Sequence, residues 1–284
     1  MVISRISGGL GNQLFQYAAG KSLALRQNTQ LLLDTSYFKG EGLRNFELDS
    51  FNISLKIADR ELVENFITRS FAGRIRDRIL PMKFRKVYKE PFYHFDKNFF
   101  NAASDVYLKG YWQSEKYFNP VKEAIKTDLT IKPEIIEKIK QVGAGLGNAT
   151  SVAVHIRRAD YTRDVQKDYH GTLEKDYYHG AIQLISDKIK DARFYFFSDS
   201  INWVKENLGM PGAVYVSGEV TKNHLEDLYL MSQCNHNIIA NSSFSWWGAW
   251  LNNNPGKIVI APKNWFNKGP KDTYDLYPDN WIIL

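Results

Sequence analysis

At 284 residues the chain exceeds the usual size of a single domain and can bury a core in each of two halves. Hydrophobic residues at 44% and charged residues at 24% exclude a disordered or fibrous chain. The net charge is a modest +6, and the single cysteine, Cys234, excludes an intramolecular disulfide or a cysteine-cluster metal site and favours a reducing compartment.

In chain order, residues 2–6 read as a strand, 8–11 as a glycine turn and 12–26 as a helix. The opening has neither the apolar run of a signal peptide nor a membrane span, and no later stretch has one, so a cytoplasmic protein is expected. A second strand follows at 31–34, then a helix at 58–67. Residues 69–89 gather Arg69, Arg74, Arg76, Arg78, Lys83, Arg85, Lys86 and Lys89 against Asp77 alone. That basic face fits a solvated helix, but it leaves open a peripheral contact with anionic lipid at the inner membrane face, or with substrate phosphate. No aromatic-interleaved motif accompanies the charge, so no nucleic-acid partner is expected.

A strand at 106–109 and a helix at 119–127 come next, and the glycines at 143–147 are expected to link two domains, 1–145 and 146–284. Beyond 152 the pattern alternates. Apolar runs at 152–157, 194–198, 213–217, 237–240 and 257–261 are separated by helical segments at 174–190, 200–208, 223–233 and 244–253. Strands joined by such crossovers must pair in parallel, which predicts a doubly wound α/β half. Ligands of such sheets bind beyond the carboxyl ends of the strands, so the exit residues are where chemistry is expected.

Those exits are polar. The first carries His155, Arg157 and Arg158, the second Asp199, and the fourth Asn241, Ser242 and Ser243. Strand alternation sends Arg157 and Arg158 to opposite sides, one free to meet a diphosphate and one to meet the scaffold. Asp199 could accept from guanine's N–H edge or cap the next helix. The hydroxyls at 242 and 243 sit at a helix start, where free N–H groups and the dipole attract an anion. Trp246, Trp247 and Trp250 behind them read as core before sugar platform.

In the first half, the 8–11 turn lacks the third glycine of a dinucleotide fingerprint. Gly20-Lys21-Ser22 has Phe15 where a phosphate loop needs glycine. What remains at Gly9, Asn12 and Gln13 is a tight turn that either approaches a sugar or serves the fold alone. No two aspartates stand two positions apart, so no metal is expected and the arginines take the cation's role.

Five segments, 8–18, 107–118, 155–161 (HIRRADY), 197–200 and 241–251, together resemble the bacterial α-1,2-fucosyltransferases over nearly the whole chain. The resemblance implies an inverting enzyme of the GT-B type, with two Rossmann-like domains facing across a cleft. It places GDP-fucose on 146–284, with Arg157 on the β-phosphate, His155 near guanine or ribose, and Ser242 and Ser243 supporting the diphosphate. Asp199 would read guanine and Arg158 would be a structural partner. An oligosaccharide acceptor, expected to be a terminal galactoside fucosylated at its 2-hydroxyl, would lie on 1–145 against Gly9, Asn12 and Gln13. Asp160 is the expected general base, with Asp164, Asp34 and His155 as alternatives. Ala159 departs from the glycine that many relatives carry there. The competing readings are a fucosyltransferase of α-1,6 linkage and a non-catalytic carbohydrate-binding protein using the 14% of aromatic residues.

Overall fold

A computed structural model of the chain describes residues 1–40, 44–67, 79–147, 150–158, 169 and 171–284. It divides into two compact units, Met1–Thr130 with Asp272–Pro278, and Ile131–Lys271 with Asp279–Leu284.

In the first unit, β1 (Val2–Arg5), β2 (Leu31–Asp34), β3 (Val87–Lys89) and β4 (Val106–Lys109) form an all-parallel sheet in the order β2-β1-β4-β3. Helices α1 (Leu10–Arg26), α2 (Arg60–Ile67) and α3 (Lys122–Asp128) accompany it. A Cβ at Gly20 would lie 2.9 Å from Leu31 Cδ1 and from Ser4 Cβ, so this glycine lets α1 press onto β1 and β2. The Gly20-Lys21-Ser22 triplet is thus mid-helix packing, as its context in the sequence implies. Strand β3 escaped sequence reading because three residues beside a basic run show no periodicity.

Beyond β4 the chain kinks. Trp112 is fully buried at φ +57, a left-handed conformation rare outside glycine. Glu90, just past β3, holds the kink by accepting from Tyr111 N at 2.6 Å and Trp112 N at 2.9 Å. A Cβ on Gly110 would sit 2.4 Å from Glu90 Cβ, so the approach requires glycine. Burial raises the Glu90 carboxyl from 4.5 to about 7, against the pull of its two backbone bonds. The folded-state pKa therefore exceeds the unfolded one. The stability this group contributes is complete below about 4.5 and is lost as pH rises through about 7. Thermal melts of wild type and Glu90→Gln across that window should diverge as pH rises, with the wild type losing more; parallel profiles would show that Glu90 is not buried as described.

The second unit opens with α4 (Pro133–Ile136) and α5 (Lys140–Gly147). Strands β5 (Ser151–Ile156), β6 (Arg193–Ser198), β7 (Val214–Tyr215), β8 (His236–Ile238), β9 (Val259–Ala261) and β10 (Ile282–Ile283) pair in parallel in the order β10-β9-β8-β5-β6-β7. Helices α6 (Lys175–Lys188), α7 (Ile201–Asn207), α8 (His224–Gln233) and α9 (Ser243–Leu251) alternate with them. Val152, Val154, Ile156, Phe194, Phe196, Ile238 and Ile260 build the core, and every residue of β5 is buried, as expected of a central parallel strand. The chain runs outward from β5 through β6 to β7, then returns to β8 on the other flank, so direction reverses between β5 and β8. Both units are the Rossmann-like α/β class expected from the sequence.

The division between units falls at 130/131 rather than at 145/146. The glycines at 143–147 are part of α5 and not a linker. A Cβ at Gly143 would meet the Tyr229 ring at 2.6 Å, so that glycine is there to let α5 close on α8. Asp272–Pro278 joins the first unit instead of the second.

Candidate functional site

Strand β5 ends where burial must end, because a guanidinium cannot be stranded in the core. His155, one residue before the end, is 4% exposed, with its ring 5.6 Å from that of Phe244. Burial first, and then the Arg157 charge, pushes its pKa down to about 3, so the imidazole is neutral at any working pH. Its Nδ1 has no hydrogen-bond partner among the described residues. Leaving such an atom unsatisfied costs on the order of 1–3 kcal/mol, which marks a place for a ligand hydroxyl or amine.

Arg157 and Arg158 follow the end of β5 and take different partners. Arg157 Nε forms an ion pair with Asp199 Oδ2 at 3.1 Å, with both side chains about one-fifth exposed at 22% and 19%. Arg158 donates its backbone N–H to Asp199 Oδ1 at 2.9 Å, while its guanidinium lies 3.8 Å over the ring of Trp203 on α7. Asp199 therefore brackets the exit of β5 from the exit of β6. It is not the cap of α7, because Ser200 occupies that position. Behind it, Ser198 N donates to Ser217 Oγ at 3.0 Å, and Ser217 Oγ donates to Asp227 Oδ2 at 2.8 Å. That relay fixes the end of β6 to α8.

At the exit of β8, Asn241 is anchored through Nδ2 to the carbonyls of Gly171 at 3.1 Å and Trp265 at 3.3 Å. Ser242 is the cap residue of α9, yet its side chain makes no capping bond. Ser245 Oγ turns back to the carbonyls of Ala240 and Ser242. The Ser242 side chain thus leaves the first-turn amides of α9 without a capping bond. Polar donors and the positive helix end converge at the switch point between β5 and β8, where this class of sheet binds ligands. Trp246, Trp247 and Trp250 are buried at 0%, 0% and 3%, and are core.

In the first unit, Gly8 takes φ +78 and Gly9 caps α1. Gly9 and Asn12 are half-buried, and Asn12 Oδ1 accepts from Gln113 Nε2 at 2.8 Å, joining the exits of β1 and β4. Gln13 is fully buried, its amide spent on Gly8 O, Asn45 O and Glu47 N. It supports the turn from behind rather than meeting a ligand.

Among the base candidates, Asp34 is 3% exposed and engaged by Ser36 N and Tyr107 Oη. The low pKa of His155 makes it a weak proton acceptor. Asp160 and Asp164, like Ala159, lie outside the described residues, as do Arg69, Arg74, Arg76 and Arg78. Among the described residues there is no group of three or more His, Cys, Asp or Glu placed to hold a metal, and no helix long and apolar enough to cross a membrane. Sequence reasoning missed Trp203, Gln113 and the Ser217–Asp227 relay, since partners separated in sequence leave no spacing signal.

Two α/β units, each with a parallel sheet wound by helices, place the chain in the GT-B class of glycosyltransferase folds. The structure of NodZ alpha-1,6-fucosyltransferase soaked with GDP-fucose superposes with a TM-score of 0.51 at 17% identity, covering 90% of this chain and 96% of that one. The chain belongs to glycosyl transferase family 11, whose model matches residues 1–284. An alpha-1,2-colitosyltransferase of Escherichia coli is 32% identical over 295 residues, covering 100% of this chain and 99% of the relative. Galactoside alpha-(1,2)-fucosyltransferase 1 of Rattus norvegicus is 25% identical, covering 86% and 61%. The family read from the five sequence segments is borne out, and the protein is a glycosyltransferase.

Proposed function

We propose that the protein transfers L-fucose from GDP-β-L-fucose to the 2-hydroxyl of a terminal galactoside, with inversion and without a metal. The supporting observation is the β5/β8 switch point of the second unit, where Arg157, paired with Asp199, and the N-terminus of α9 bring positive charge to the place where a diphosphate would sit. In this reading Arg157, Ser242 and Ser243 take the diphosphate, His155 offers Nδ1 to the nucleoside, and Asn241 sets the loop that carries the serines. Arg158, stacked on Trp203, stiffens the β5 exit. Asp199 holds Arg157 and uses the remaining lone pairs of its carboxylate on guanine. Asp160 takes the acceptor proton as the hydroxyl attacks opposite the departing GDP. The first unit binds the oligosaccharide acceptor beside Gly9 and Asn12. The protein works in the cytoplasm, with 69–89 available for peripheral contact at the inner membrane face.

The 32% likeness to an alpha-1,2-colitosyltransferase favours a second reading, a colitosyl donor in place of the fucosyl one. Incubation with fucosyl and colitosyl nucleotide donors and simple galactosides, followed by linkage analysis, separates the two. An α-1,6 product would replace the α-1,2 assignment, and no turnover with intact carbohydrate binding would leave a binding protein. Turnover should persist in excess EDTA, because guanidinium and helix-end charge serve in place of a divalent ion. Loss on chelation with rescue by Mg²⁺ or Mn²⁺ would overturn metal independence.

Asp199→Asn should weaken GDP more than ADP, since the amide turns one acceptor into a donor facing guanine's N–H edge. The excess loss for GDP is expected at about 1–3 kcal/mol by calorimetric titration. The ADP loss isolates the share that comes from releasing Arg157, and equal losses would confine Asp199 to that holding role.

A further inference from the structure

Phe92, His94 and Tyr274 form a three-ring stack in the first unit. His94 lies 4.6 Å from Phe92 at 9° and 4.8 Å from Tyr274 at 20°, centroid to centroid. Carboxylates hold the two chain segments together. Asp272 Oδ2 accepts from Tyr93 N at 3.1 Å and faces His94 Nδ1 at 3.1 Å, while Asp275 Oδ2 accepts from Phe95 N at 3.0 Å. Those bonds fasten the backbone of 93–95 to the returning segment without help from the Tyr274 ring. Even so, Tyr274 is 71% exposed and Phe92 47% exposed, so the stack ends in flat apolar faces turned to water.

A ring already ordered by stacking loses little freedom when a ligand covers it. The ligand suited to a lone flat aromatic face with a polar edge is a pyranose, which offers a C–H face to the ring and hydroxyls around its rim. His94 supplies the edge. An ionised carboxylate only accepts, so the Asp272 contact puts the proton on Nδ1 and leaves Nε2 of the neutral ring as an acceptor for a sugar hydroxyl.

We propose that Phe92, His94 and Tyr274 form a pyranose-stacking subsite for the oligosaccharide acceptor, with His94 Nε2 accepting from a ring hydroxyl. The role of acceptor rests on the transferase reading above; the carbohydrate site itself does not. Wild type, Tyr274→Ala, Tyr274→Trp and His94→Gln are titrated calorimetrically with a galactose-terminated oligosaccharide in the presence of GDP. GDP affinity and melting temperature are measured on each.

Tyr274→Ala is expected to raise the oligosaccharide Kd about tenfold, and Tyr274→Trp to keep it near wild type. His94→Gln should weaken binding by a smaller factor, with GDP affinity and melting temperature unchanged in all. The subsite is overturned if wild type binds no oligosaccharide or if Tyr274→Ala binds it as wild type does. It is also overturned if affinity falls only with melting temperature, which makes the stack a structural pin. Tyr274-dependent binding to phosphatidylglycerol vesicles with oligosaccharide affinity unchanged would assign the rings to a membrane instead. Failure of wild type to bind GDP would sink the donor reading alone, since oligosaccharide binding through Tyr274 would still stand.

Discussion

Arg157→Ala is expected to lower kcat by about two to three orders of magnitude while the protein stays folded. Negative charge grows on the β-phosphate as the bond to the sugar breaks, so a guanidinium there does more for the transition state than for bound substrate. Ground-state contact alone would raise KM and leave kcat in place. Arg157 pairs with Asp199 and is 22% exposed, so its truncation opens toward solvent and does not leave a closed cavity. Arg157→Lys should restore little, because one ammonium cannot hold Asp199 and reach a phosphate as a planar fork does.

Arg158→Ala provides the contrast. Its guanidinium covers Trp203, so the loss should appear as a lower melting temperature of a size fitting one cation–π contact, about 0.5–2 kcal/mol, with kcat reduced less. Measuring kcat, GDP affinity and melting temperature on both variants decides the matter. A near-normal kcat in Arg157→Ala with a stable but inactive Arg158→Ala would exchange their roles. If both remain active, the diphosphate is bound elsewhere.

The second unit was legible because its strands are near-continuous apolar runs, and a parallel strand buried on both faces can hardly be written otherwise. The exits of β5, β6 and β8 were legible for the complementary reason that polar residues interrupt those runs abruptly. The first unit was harder to read. Strand β3 has three residues, and the Trp112 kink is a backbone conformation with no compositional mark, visible only once Glu90 is seen to hold it. The glycines at 143–147 misled because glycine has two uses, and here the close contact with Tyr229 outweighs flexibility. Asp199 is intermediate: its polarity at a strand end was readable, but its bond to Arg157 depends on the pairing of β5 with β6. Gln13 shows the limit of motif reading, since a polar residue in a glycine turn can face inward and satisfy the backbone.

Trp246→Ala should destabilise the second unit by about 3–5 kcal/mol, the range for truncating a large aromatic in a closed core. The ring has no exposure and sits 5.1 Å from Trp247, 5.5 Å from Trp281 and 6.1 Å from Trp250. Those partners come from α9 itself and from the chain end beside β10, so the cavity cannot close by a single side-chain shift. Trp246→Phe keeps most of the contact area and should cost clearly less. The site enters because α9 carries the amides proposed for the diphosphate, and its position depends on this aromatic core. GDP affinity of Trp246→Ala should therefore fall together with its melting temperature, and both should recover in Trp246→Phe. The measurements are thermal unfolding with and without GDP, and acceptor KM well below the melting temperature. If Trp246→Ala melts like wild type while acceptor KM rises sharply, the ring contacts sugar, and the core assignment of the tryptophan pair is wrong.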